Sequence, residues 1–458
     1  MHLENRLHRH IESMLQHDGE FRGYMGGELP ARVTRVEIDK YRFFQLRRIL
    51  DYVGEKSSFY RELYRSAGVV PGDIRSLADL ARLPLTEPEH IAEQPYRFLC
   101  LSLAHVARVY TFVTSGTTGP RKKIFWTDGD IERIIDFMSA GIGAVAGPDD
   151  TVEIYLPDGK LYSQADLLRR GVEKIGARPV IAGMDFGVEE HLALLEKFHA
   201  AVLFGYTSRI YRLTRELQAR CDPGVMGVKV LFLAGEYVPP AMRRELAEIW
   251  NCRLRTHYGL TEMGLGVAVE CEAGDGYHFN EADLLVEIVD PATGAPVEAG
   301  REGELVFTTL TREAMPLIRY RTRDISRLIT QPCSCGAAGM MKFAAVRKRA
   351  GNIVTVGAGG EIYPACFDDE LFSVGGMVDY RVTATRAEDC DRLDFQVELA
   401  PWAGGGERAA EISNKLFENP VIADNVRAGS MLQPHIEIVP PGSLKLSDRA
   451  KKMVVDRR

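Results

Sequence analysis

Between residues 108 and 250 the chain alternates short apolar runs with longer segments of helical period, and few architectures accommodate that alternation. RVYTFVTS, TVEIYL, ARPVIAG, AAVLFG and VKVLFLAG have the length and composition of buried strands. Between and after them lie amphipathic patterns near 128–142, 163–175, 188–198, 207–219 and 240–250. Strands joined by helical crossovers form a mostly parallel α/β sheet. Upstream, Tyr41, Phe44, Leu46, Ile49, Tyr52, Phe59 and Leu63 recur at helical spacing, which predicts one or two amphipathic helices over 39–66. After about 265 the helical period stops, and strands separated by Asp-Pro and glycine turns follow, as in LLVEIVDPATGAPVEAGREGELVFTTL. Beyond RKRAGNIVTVGAGGEIYP the pattern becomes a small α+β one. The expected fold class is therefore α/β: a large N-terminal domain of α/β subdomains plus a β-rich subdomain over 1–346, then a small mobile α+β C-terminal domain over 347–458.

A chain of 458 residues exceeds one ordinary core and has room for a large site. With 45% hydrophobic and 26% charged residues it has the proportions of a folded soluble protein. A net charge of −7 gives no support to nucleic-acid coating. The first thirty residues mix charges and histidines and contain neither a signal-like apolar core nor a membrane-length apolar run, so the expectation is a cytoplasmic protein without a membrane partner. Eight cysteines are too sparse for a disulfide framework, and any clustered pair is weighed as a metal site.

Thr114-Ser115-Gly116-Thr117-Thr118-Gly119-Pro120-Arg121-Lys122-Lys123 lies between two strand candidates. Its glycines let several N–H groups converge on one anion, its hydroxyls can donate to phosphate oxygens, and its lysines add positive charge. It is not a Walker loop, and by itself it reads more readily as a polar hairpin turn than as a phosphate site.

Further signatures follow in order: Ala234-Gly235-Glu236, His257-Tyr258-Gly259-Leu260-Thr261-Glu262, Gly303-Glu304-Leu305-Val306-Phe307-Thr308-Thr309-Leu310, and Arg319-Tyr320-Arg321-Thr322-Arg323-Asp324. Together they resemble the adenylate-forming superfamily, most closely its phenylacetate-CoA ligase-like branch, over nearly the whole chain. The resemblance implies ATP-dependent adenylation of a carboxylic acid, release of pyrophosphate, and acyl transfer to coenzyme A. An amine, a hydroxyl or a carrier-protein thiol are the other acceptors, and a catalytically impaired nucleotide-binding subunit is the competing reading. It implies that Ser115, Gly116, Thr117, Thr118 and Gly119 hold the ATP phosphates with Lys122 or Lys123 nearby. Gly235 and Glu236 then line the adenine, His257 and Tyr258 contact the nucleotide with Tyr258 stacking on the base, and Thr261 meets the α-phosphate. Glu262 holds Mg²⁺, and Asp324 accepts from the ribose. Arg347 or Arg349 stands for the usual hinge arginine. The attacking carboxylate is already anionic, so catalysis reduces to positioning and charge neutralisation.

The sequence departs from the family in two places. The terminal lysine expected during adenylation falls on Ala450, with Lys451 next to take the role, and the hinge acidic pair reads Gly351-Asn352. Cys333-Ser334-Cys335-Gly336 is a tight C-x-C turn, with Cys271 and His278 upstream in CEAGDGYH. Three sulfurs and an imidazole suit a closed structural Zn²⁺ site, whereas two reduced cysteine pairs in a polar loop are the plain alternative; the resemblance favours zinc. The acid pocket is expected around Tyr155, Tyr206 and Gly259; the two tyrosine rings suit a planar aromatic acid, which the resemblance implies more than the residues do. YLPDGKLYS lacks the glycine-rich stretch of phenylacetate-specific members, which points away from phenylacetate itself. A homodimer is implied by the resemblance alone.

Overall fold

The computed structural model describes residues 3–27, 33–112, 121–158, 160–335, 339–404, 406–444 and 454–458. They divide into two compact units that do not follow chain order: 1–149, 160–177 and 257–345 form one, and 150–159, 178–256 and 346–458 form the other.

In the first unit, helix Arg35–Lys56 and helix Ser58–Ala67 occupy the predicted amphipathic stretch. Between them Ser57, itself buried, accepts from the Tyr60 amide and caps the second helix. Helix Asp128–Ile142 starts in a reciprocal capping box: Thr127 Oγ1 accepts from the Asp130 amide at 3.0 Å, and Asp130 Oδ2 accepts from the Thr127 amide at 3.1 Å. Helix Gln164–Lys174 packs against it. Past residue 265 the described residues of this unit are strands and turns, as the loss of helical period requires. Leu284–Val289, Gly303–Thr309 and Tyr320–Ser326 pair antiparallel in that order. The end of strand Arg253–Tyr258 pairs with Ala268–Glu270, which continues antiparallel to Tyr277–Phe279 and Lys342–Phe343.

One expectation fails. Arg108–Phe112 does not join the parallel sheet; it pairs antiparallel with Lys122–Trp126. The nine residues between them are too few for a helical crossover, which needs a dozen or more, so only a hairpin can close there.

In the second unit Thr151–Tyr155, Arg178–Ala182, Val202–Tyr206 and Val230–Ala234 form the predicted parallel layer. Spatially, Thr151–Tyr155 lies between Arg178–Ala182 and Val202–Tyr206. Helices Val188–Phe198, Thr207–Gln218 and Pro240–Trp250 are the crossovers. The long hairpin Met377–Ala387 and Cys390–Leu399 is flanked by the parallel partners Val454–Asp456 and His435–Val439. One core runs through this unit, joining Leu203, Ile210, Leu231 and Trp250 to Phe367, Phe395 and Ile412. Among the described residues no helix is long and apolar enough to cross a membrane.

Candidate active site

The segment after strand Arg253–Tyr258 forms a tight turn because two glycines permit it. A methyl group on Gly259 would lie 2.3 Å from the Leu265 carbonyl oxygen, a distance no Cβ tolerates. Gly264 then ends the single turn Thr261–Met263 at φ +95°. Thr261 and Glu262 are thereby held at the head of a closed loop.

Glu262 and Lys122 are both buried, and with Tyr320 they form a triangle. Lys122 Nζ donates to Glu262 Oε1 at 2.8 Å and to the Tyr320 hydroxyl at 2.8 Å, and that hydroxyl donates to the same Glu262 oxygen at 2.8 Å. Burial by itself would raise the Glu262 carboxyl, but the Lys122 charge and these hydrogen bonds hold it below the usual carboxylate range. Lys123, one residue along the strand, faces the other way and donates to the Tyr96 hydroxyl at 3.0 Å.

Tyr320 and Asp324 share the inward face of one alternating strand. Asp324 Oδ2 accepts from the Tyr258 hydroxyl at 2.6 Å, both groups buried, while the Tyr258 ring packs edge-on against Phe343 at 5.3 Å. His257 sits beside Gly259 and Gly266, and desolvation pushes its imidazole down to about 4, so the ring is neutral near pH 7. The start of the Tyr320 strand is clamped from the N-terminal region. Tyr60 accepts from the Ile318 amide at 2.8 Å, and Thr86 exchanges backbone hydrogen bonds with Arg319 and Arg321.

A second group lies in the same unit. One ligand atom from each of Cys271, His278, Cys333 and Cys335 falls within 4.8 Å of the others. Cys271 and Cys333 sulfurs are 3.5 Å apart, far beyond a disulfide bond, and Cys335 Sγ is 3.5 Å from His278 Nε2. Tetrahedral ligands about 2.3 Å from one ion stand roughly 3.7 Å apart. The other ring nitrogen of His278, Nδ1, meets the Met341 carbonyl at 3.1 Å, which directs Nε2 toward the sulfurs.

In the second unit the remaining candidates cluster at the carboxyl ends of the parallel strands. From Thr151–Tyr155 the chain crosses to Arg178–Ala182 on one side and later to Val202–Tyr206 on the other, so a topological switch falls between Tyr155 and its partner Gly205. Gly235, at φ +83°, has room for no side chain because the Tyr206 ring lies 2.9 Å from where a Cβ would stand. Glu236 caps helix Thr207–Gln218, accepting from the Ser208 amide at 2.8 Å and its hydroxyl at 3.0 Å. Arg347 is exposed and lies over the Tyr237 ring at 5.4 Å.

Residues 99–310 match the AMP-binding enzyme family, and 359–458 match its C-terminal domain. The phenylacetate-coenzyme A ligase of Aromatoleum evansii is 30% identical over 438 residues, spanning 93% of this chain and 96% of that one. The chain belongs to this family of AMP-binding enzymes. The corresponding ligase of Thermus thermophilus is 29% identical, covering 90% of this chain and 95% of its own. The fold matches a crystal structure of 2-hydroxyisobutyryl-CoA ligase in the postadenylation state at a TM-score of 0.80 and 21% identity, over 94% of both chains.

Of the residues expected at the site, Ser115, Gly116, Thr117, Thr118, Gly119 and Lys451 lie outside the described residues. In the first unit Tyr258 meets Asp324, and Glu262 meets Lys122 rather than Lys123. Tyr320, which bonds both Lys122 and Glu262, is a site residue that the motifs alone do not single out. Its signal was available, since in an alternating strand it shares the face of Asp324.

Proposed function

We propose that this enzyme activates an aromatic carboxylic acid. As an AMP-forming acid–CoA ligase it joins the acid to AMP with release of pyrophosphate and passes the acyl group to coenzyme A. The pairing of Tyr258 with Asp324 carries the nucleotide-site reading, because it brings two signatures 66 residues apart to a 2.6 Å contact. In this reading Tyr258 packs on adenine, Asp324 accepts from the ribose, and Thr261 donates to the α-phosphate. Glu262 fits a Mg²⁺ ligand: magnesium on ATP takes one or two carboxylates plus phosphate oxygens, and this is a buried, ionised carboxylate. When bound, the ion offsets charge developing on phosphate oxygens. Lys122 keeps Glu262 ionised and adds a positive charge at the end of the phosphate loop. His257, neutral, lets the turn close without placing a second cation there. Lys451 is proposed as the lysine that replaces the one absent at 450.

The proposal divides the chain at 346/347 into an adenylation domain and a small C-terminal domain, consistent with the two matched family models falling on either side. It includes a cytoplasmic homodimer and one structural Zn²⁺ on Cys271, His278, Cys333 and Cys335, whose spacing and soft donor set suit that ion. Tyr155 and Tyr206 form walls of the acid pocket. A pyrophosphate-release screen over aromatic and aliphatic acids tests the substrate class: release with substituted benzoates or arylacetates is expected, and release with short aliphatic acids alone overturns the aromatic assignment.

A further inference from the structure

Strand Thr151–Tyr155 is buried along its length, yet its middle residue is Glu153. The carboxylate is within 2.7 Å of His191 Nδ1, on helix Val188–Phe198, and both side chains are 1% exposed. Among the described residues, the remaining polar atoms of the pair, Glu153 Oε2 and His191 Nε2, are buried without hydrogen-bond partners. An isosteric apolar pair would hold a strand and a helix together at least as well, since breaking even with buried charge requires every lone pair and proton to be satisfied. The pair therefore has to be explained by something other than stability.

Its position supplies the explanation. Glu153 and Tyr155 stand two residues apart and share one face of the strand. The Tyr155 ring meets the imidazole of His191 edge-on, with centroids 4.2 Å apart. At its other end the Tyr155 phenol lies beside the Arg209 guanidinium, in the first turn of the helix that follows Tyr206. The ring thus lies between His191 and Arg209, where the strand order reverses and the acid pocket is proposed.

We propose that Glu153 and His191 are positioning residues for the acid substrate, setting the plane of the Tyr155 ring against which the acid packs. Glu153 orients the imidazole, the imidazole sets the tyrosine, and the acid meets a wall that needs no ordering when it binds. This rests on the reading of Tyr155 as part of the acid pocket.

The test is steady-state kinetics with the best acid from the screen, comparing wild type with Glu153→Leu/His191→Leu, which conserves volume and leaves no unpaired charge. KM for the acid should rise about tenfold, with kcat and the KM for ATP within about twofold, because uniform binding of the acid is what is lost. Glu153→Gln, which keeps an acceptor for the imidazole, should recover most of the loss. An unchanged acid KM in the folded double variant overturns the proposal, as does an equal change in the KM for ATP. Wild type that activates no aromatic acid at all overturns the pocket reading beneath it, a distinct result. If the double variant does not fold, Glu153→Gln/His191→Phe carries the same test: it keeps a ring against Tyr155, leaves no buried charge unpaired, and removes the orientation of that ring by Glu153. It should raise acid KM selectively, and no change in it overturns the proposal.

Discussion

Replacing Lys122 with methionine removes one charge of a buried pair and leaves the volume nearly unchanged. At 2.8 Å and an effective dielectric constant near 20, the gross attraction between Lys122 and Glu262 is about 6 kcal/mol. Desolvation of both groups offsets much of this, and removing one partner of such a pair costs about 3–5 kcal/mol because the other charge stays buried. The pH dependence separates this from simple loss of packing. In the wild type the Glu262 pKa lies below its unfolded value, so the pair's stabilisation is fully present above about pH 4.5 and is lost as pH falls through the folded value. In Lys122→Met, burial acts on Glu262 without the ammonium and raises its pKa above the unfolded value. The folded variant then binds the extra proton, and its deficit narrows as pH falls toward 4.5. Urea unfolding followed by tryptophan fluorescence at pH 7.5 and 5 reads both quantities, Trp126 being fully buried on the Lys122 strand. Adding Glu262→Gln should return most of the lost stability at pH 7.5. A variant as stable as wild type at pH 7.5, or a deficit independent of pH and of Glu262→Gln, refutes the reasoning.

Other outcomes follow from the same geometry. Tyr258→Phe removes a hydrogen bond to a buried carboxylate and should lower stability by about 1.5–3 kcal/mol in thermal melts while raising the KM for ATP. His257 takes its proton at about 4 when folded and near 6.5 when unfolded, so it should make the protein lose about 3 kcal/mol as pH falls from 6.5 to 4, a slope flattened in His257→Gln unfolding curves. Gly259→Ala, whose new methyl meets the Leu265 carbonyl, should reduce acid-dependent ATP–pyrophosphate exchange at least about tenfold. Elemental analysis should find near one zinc per chain, lost in Cys333→Ser; folded metal-free wild type contradicts the site.

Much of this arrangement was legible in residue order. The crossover helices stand where helical spacing put them because each buries one stripe on a sheet, and that constraint is written locally as Val188–Phe198 or Pro240–Trp250. The four-cysteine/histidine group was readable from chemistry, since few other reasons bring three thiols and an imidazole together. Arg108–Phe112 was misread because an apolar run records burial but not strand direction; the short connection held that information. Lys122 and Lys123 are indistinguishable by composition and differ only in strand parity, which the run Ile124-Phe125-Trp126 cannot settle because it is apolar and fully buried on both faces. Glu153 and His191 left no signal, because a contact between residues 38 apart is fixed by how a helix lies on a sheet.

The most direct test of the account is to incubate the enzyme with ATP, Mg²⁺, an aromatic acid and coenzyme A and to identify products by mass spectrometry. Equal amounts of AMP and acyl-CoA, with pyrophosphate released, are predicted, and Glu262→Gln should form both far more slowly. ADP in place of AMP, or acyl-AMP that accumulates with no thioester, contradicts it.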